Sequence, residues 1–242
     1  MVLRAIRDCL PSADVTYFGD TKNAPYGEKS REQLSELTVQ AIRLLQKNGA
    51  TNIVSACNSV SASLAVSLLD AFDLKPQQLI EMVGPTVSEF RNTADVRVAV
   101  CATPATINSE IYQNAFRMIG KDVIAIPIPG LAGAIEFGKS EDEVEAIIRA
   151  AFSKVDTGSF DILVMACTHY PYAADSFKKI LGGSISVFDP ALAVAERVER
   201  QFWPQEAGDG VTRFLISKDS DTFRSLTARL FPEQKYSLEV IT

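Results

Sequence analysis

Ile53-Val54-Ser55-Ala56-Cys57-Asn58 and Leu163-Val164-Met165-Ala166-Cys167-Thr168 are two versions of one stretch, and reading them decides the fold. Each is an apolar run that ends in Ala-Cys-polar and leads into small or hydroxylic residues, so each predicts a buried strand opening into a turn at its cysteine. The two cysteines lie 110 positions apart, and the starts of two further expected strands, Asp14 and Asp122, lie 108 apart. The halves therefore keep register, and the chain reads as an internal repeat.

The remaining apolar runs fill in the pattern. With Asp14–Phe18, Thr51–Ala56, Asp122–Pro127 and Asp161–Ala166, strands are expected at Val96–Cys101, Ser184–Phe188, Val211–Ile216 and Tyr236–Ile241. Helical periodicity lies between them. Ser30-Arg31-Glu32-Gln33 has capping-box spacing, Leu34, Leu37, Ala41, Leu44 and Leu45 form an apolar stripe, and Asn48-Gly49 stops the helix. The spacing also predicts helices over Val2–Leu10 and Ile107–Ile119. This βαβα rhythm gives an α/β fold with mainly parallel sheets flanked by helices, in which ligands lie at the carboxyl ends of strands. Two domains are expected, residues 1–80 plus 190–242 and residues 81–189. In the first half, the strand equivalent to Val96–Cys101 has no counterpart, because its register falls some ten residues before Met1.

Composition narrows the class of partner. The chain has 242 residues, 47% of them hydrophobic and 22% charged, a formal net charge of −6 and no long apolar run. No membrane span and no nucleic-acid footprint are expected, which leaves a small molecule as partner. The opening residues are too short and too charged for a signal peptide, and four widely spaced cysteines suit a reducing compartment, so a cytoplasmic location is expected. Cys167-Thr168-His169 lacks zinc-ligand spacing, and Cys9 and Cys101 read as packing residues.

Five ordered motifs carry a family likeness: Tyr17-Phe18-Gly19-Asp20-Thr21, Pro25-Tyr26-Gly27, Ala56-Cys57-Asn58-Ser59, Thr103-Pro104-Ala105-Thr106 and Ala166-Cys167-Thr168-His169-Tyr170-Pro171. From Met1 to about Val198 the chain resembles the glutamate racemases. The resemblance implies two pseudo-symmetric α/β domains with the active site between them, glutamate as substrate, no cofactor, often a homodimer, and a role in supplying D-glutamate for cell-wall peptidoglycan. It implies that Cys57 and Cys167 are the catalytic thiols, with His169 beside the second. Tyr26, Gly27, Asn58, Ser59, Thr168 and His169 match substrate-binding segments. Glu136 matches an assisting carboxylate, although Ile128-Pro129 replaces the Cys-Pro usual before it, and Ser59 stands where threonine is common. The family's opening strand and Asp-Ser-Gly loop have no match here, so the chain as written is expected to be weakly active or inactive and to self-associate at the sheet edge.

The chemistry fits these residue types. An amino-acid α-proton is very weakly acidic, so its removal needs a thiolate together with amides and hydroxyls that stabilise charge on the carboxylate. Asn58, Ser59, Thr103, Thr106 and Thr168 follow strand ends and are placed for that, and two thiols on opposite faces would invert the centre. Asp20 either orients a thiol or the substrate ammonium, or caps the turn after it. Thr103 to Thr106 could also be a plain capped turn, and Tyr26-Gly27 likewise. Racemisation of aspartate or another acidic amino acid, an inactive homologue with a binding role, and a Cys-His thiol hydrolase are the competing readings.

Overall fold

The computed structural model describes residues 1–63, 72–93, 95–202, 208–232 and 235–241. Nine strands are found among them: β1 (Val15–Gly19), β2 (Ile53–Val54), β3 (Leu79–Ile80), β4 (Val98–Ala102), β5 (Val123–Pro127), β6 (Ile162–Met165), β7 (Ser186–Phe188), β8 (Thr212–Ile216) and β9 (Tyr236–Val240). Every pairing is parallel. One sheet has the order β5-β4-β6-β7, a second has β1-β8-β9, and β2-β3 stand as a separate pair.

Alternation along β4 and β6 builds the larger core. Ala99, Cys101, Leu163 and Met165 face one helical layer, while Val98, Val100, Ala102 and Val164 face the other. All five β4 residues are buried, which is why this strand reads as a continuous apolar run. A third cluster joins the helix Val2–Cys9 to the helix Ala191–Phe202 through Val2, Ile6, Leu10, Val194 and Val198. The helix Arg31–Lys47 opens on the expected capping box, with Ser30 Oγ accepting from Gln33 N and Gln33 Oε1 accepting from Ser30 N.

The repeat explains the split sheet. Placing β1 on β5, β2 on β6 and β3 on β7 leaves the place of β4 unfilled in the first half, and among the described residues no strand pairs with the facing flanks of β1 and β2. A cavity of about 1720 Å³ runs through that gap, lined by β1, by residues 52–57 and by the apolar faces of helices Val2–Cys9 and Arg31–Lys47. Met1 stands on its wall, with its ammonium 3.4 Å from Tyr172 Oη.

Three elements differ from the sequence reading. β2 is two residues long rather than the six of Thr51–Ala56, because it is bonded on one side only, where Ser55 N donates to Ile80 O at 2.8 Å. β3 went unread, since two residues carry no periodicity. The helix expected over Ile107–Ile119 is two helices, Pro104–Asn108 and Ile111–Met118, broken at Glu110, whose φ of 56° is left-handed. A non-glycine residue holds that conformation at a cost of roughly 1 kcal/mol.

Candidate active site

Both cysteines of the repeat sit at the carboxyl ends of equivalent strands, Cys57 after β2 and Cys167 after β6. Cys57 is extended, with φ −149° and ψ 119°, and immediately precedes the short helix Asn58–Ser61. Burial pushes its thiol up to about 11, the N–H groups of Val60 and Ser59 partly offset this, and Cys167 lies close enough for its charge to raise it further. Cys57 is therefore a thiol at neutral pH.

The second cysteine has different company. Cys167 is buried, its sulfur 3.9 Å from His169 Nδ1, and His169 Nε2 bonds the Glu136 carboxylate. Glu136 closes the helix Leu131–Glu136, which brings an otherwise remote carboxylate to the imidazole. Burial works against the imidazolium, but the bonds to Cys167 and Glu136 outweigh it, and His169 is pushed up to about 10. His169 in turn holds Glu136 below the ordinary carboxylate value.

This pair sets a stability slope. Folded His169 binds its proton more tightly than the unfolded side chain, whose ordinary value is 6.5. Its contribution is thus full below pH 6.5 and is lost as pH rises through about 10. Cys57, neutral when folded, adds a loss of the same sign as pH climbs toward about 11. The thermal midpoint should fall between pH 6.5 and 10, and less steeply in His169→Asn. Equal slopes in calorimetric scans of the two proteins would contradict the coupling.

Hydroxyls from the two halves meet between the cysteines' strands. Ser59 Oγ lies 3.0 Å from Thr103 Oγ1 and 3.4 Å from Thr106 Oγ1, and the two threonines are 3.2 Å apart. Thr103 makes no side-chain cap bond to its helix, so the plain capped-turn reading does not describe it. Asn58 Oδ1 accepts from Tyr112 Oη at 2.6 Å. Tyr26 and Gly27 lie in the turn Tyr26–Glu28, and a Cβ on Gly27 would stand 2.4 Å from Thr103 Cγ2. Only glycine lets the turn approach Thr103 that closely. Gly27→Ala should therefore push the turn away, costing about 1–3 kcal/mol and weakening activity more than tenfold. Unchanged melting and unchanged rate would show that the contact relaxes freely.

Asp20 accepts from Tyr26 Oη at 2.5 Å, from Asn23 Nδ2 at 2.9 and 3.0 Å and from Ser217 Oγ at 2.6 Å. With its oxygens so engaged, it ties the Tyr26 loop to the end of β8. Asp20, Tyr26, Cys57, Glu136, Thr168 and His169 line the cavity; Gly27, Asn58, Ser59, Thr103, Thr106 and Cys167 do not. Tyr112 and Ser217 were missed in the sequence, where neither belongs to a motif. Among the described residues, no helix is long and apolar enough to cross a membrane.

Comparison with known proteins follows the same residues. The Asp/Glu/hydantoin racemase family pattern matches residues 1–198. The chain belongs to this family. Relatives within it include glutamate racemases: that of Lactobacillus helveticus is 34% identical over 198 residues, spanning 81% of this chain and 73% of the relative. That of Aquifex aeolicus is 32% identical over 234 residues, spanning 96% and 90%. Glutamate racemase from Francisella tularensis, crystallised with D-glutamate, superposes with a TM-score of 0.87 at 26% identity, over all of this chain and 92% of that one. As a family member the chain is an amino-acid racemase of the isomerase class, and the two-domain α/β fold expected from the sequence is the one its structural neighbours have.

Proposed function

We propose that this racemase interconverts L- and D-glutamate by moving the α-proton between Cys57 and Cys167, with no cofactor. One observation carries the reading: equivalent strand ends of the two half-repeats deliver two thiols, close enough that charge on Cys167 raises the Cys57 thiol. One cysteine, as thiolate, takes the α-proton and becomes a thiol. The electron pair left at the α-carbon spreads into the carboxylate and then takes a proton from the opposite thiol, which becomes the thiolate. The resting state suits Cys57 for donation, since burial keeps it protonated. His169, oriented by Glu136, is set to shift the proton at Cys167.

Ser59, Thr103, Thr106, Thr168 and the Asn58 amide supply donors for the substrate's carboxylates, and Tyr26-Gly27 shapes the pocket wall. Asp20 holds Tyr26. We take residues 1–80 with 190–242 as one domain and 81–189 as the other, because their sheets share no strand. A cytoplasmic homodimer that makes D-glutamate for peptidoglycan is the setting the family resemblance supports.

Incubation of the chain in deuterium oxide with L-glutamate, D-glutamate and each enantiomer of aspartate tests this reading. Deuterium should enter the α-position of both glutamate enantiomers and be slower in aspartate by tenfold or more. No incorporation into glutamate would end the proposal, and faster incorporation into aspartate would transfer it to that substrate. His169→Asn should lower kcat/KM equally for both enantiomers, since the equilibrium constant is one, by roughly 10²-fold. Unaltered rates would leave His169 a packing residue.

A further inference from the structure

We propose that Tyr112 is a positioning residue for this reaction: its hydroxyl fixes the Asn58 amide so that the nitrogen is left to donate to a carboxylate of the bound substrate. The inference rests on the function proposed above. Tyr112 is fully buried, and Asn58 is 3% exposed. The Tyr112 hydroxyl donates to Asn58 Oδ1 at 2.6 Å, which turns Nδ2 away from it. Among the described residues, Asn58 Nδ2 then has no hydrogen-bond partner, although it is buried. A buried donor is rarely left unmade, and this one belongs to the residue next to Cys57. An acceptor brought by the ligand completes it, and the substrate class offers carboxylate oxygens.

The backbone supports the assignment. On an unbroken helix, residues six apart point about 120° away from each other, so Thr106 and Tyr112 could not both engage neighbouring groups on the facing half. The left-handed Glu110 restarts the helix. Thr106 Oγ1 then lies 3.4 Å from Ser59 Oγ while Tyr112 Oη lies 2.6 Å from Asn58, consecutive residues on the other side of the interface. Strain held at such a point is what a functional constraint leaves behind.

Tyr112→Phe, Asn58→Ala and the double variant should be compared by steady-state racemisation, with calorimetric binding of D-glutamate as a second readout independent of turnover. Tyr112→Phe should raise KM and the dissociation constant roughly tenfold, with kcat changed less than about threefold. In the Asn58→Ala background the same change should have no further effect, because Tyr112 acts only through that amide. Asn58→Asp, which keeps the acceptor for Tyr112 but removes the donor, should weaken D-glutamate binding at least as much and covers the case in which Tyr112→Phe does not fold. Lowered melting with unchanged KM and binding in Tyr112→Phe, multiplying effects in the double variant, or parental binding in Asn58→Asp would each overturn the proposal. A parent chain that binds D-glutamate without racemising it would count against the proposed function alone.

Discussion

Replacing either Cys57 or Cys167 by serine should abolish net racemisation, a loss of at least about 10³-fold, while leaving proton exchange on one face. A hydroxyl is a far poorer base than a thiol near neutral pH, so each variant loses the proton transfer that its own sulfur performs. The remaining thiol still faces one enantiomer. In deuterium oxide, Cys57→Ser should therefore wash deuterium into one hand of glutamate and Cys167→Ser into the other, with no crossover. The two variants should not be equally impaired in this half-reaction. Cys167 keeps His169 and Glu136 beside it, whereas Cys57, among the described residues, has buried surroundings and the N–H groups of Ser59 and Val60. Exchange in Cys57→Ser should accordingly be the faster of the two. Racemisation persisting in Cys57→Ser at the parental rate would exclude the two-thiol mechanism.

An apolar strand placed between β1 and β2 should raise stability. The repeat says what fits there: a counterpart of β4, five residues buried on both faces and bonded on both flanks. Met1 lies on the cavity wall, so residues joined ahead of it should enter the gap. Burying three or four apolar side chains stabilises by on the order of 5–10 kcal/mol, and ordering five residues costs roughly the same scale, about 5–10 kcal/mol. The ladder bonds to β1 and β2 decide the balance, about 1 kcal/mol each. A net gain of a few kcal/mol corresponds to a midpoint higher by about 5–10 °C. An N-terminal extension carrying Val-Ala-Val-Cys-Ala, followed by a polar loop as long as residues 103–109, should show that rise. It should also suppress self-association, because the open flanks of β1 and β2 are covered. Equal midpoints and equal sedimentation for the extended and parent chains would mean that the gap closes by another route in solution.

Much of this molecule is legible in the sequence. Continuous apolar runs such as Val98–Ala102 announce strands buried on both faces, and the capping box at Ser30 fixes where its helix starts. The 110-residue echo of Cys57 in Cys167 places two thiols at strand ends, and five ordered motifs identify the family. These signals are local or periodic, and a sequence carries such information directly.

What tertiary structure decided lies between elements far apart in the chain. Glu136 meets His169 across 33 residues because a six-residue helix turns it back toward β6. Ser217, outside the family match, secures Asp20 from 197 residues away. Tyr112 reaches Asn58 only through the break at Glu110, which helical periodicity reads as an unbroken run. Gly27 is required by Thr103, a residue in the other half, rather than by its own turn. Periodicity and propensity determine which segments become strands and helices, since those are properties of neighbouring residues. The partners of a given oxygen or sulfur depend on how whole layers pack, and only the assembled fold specifies that.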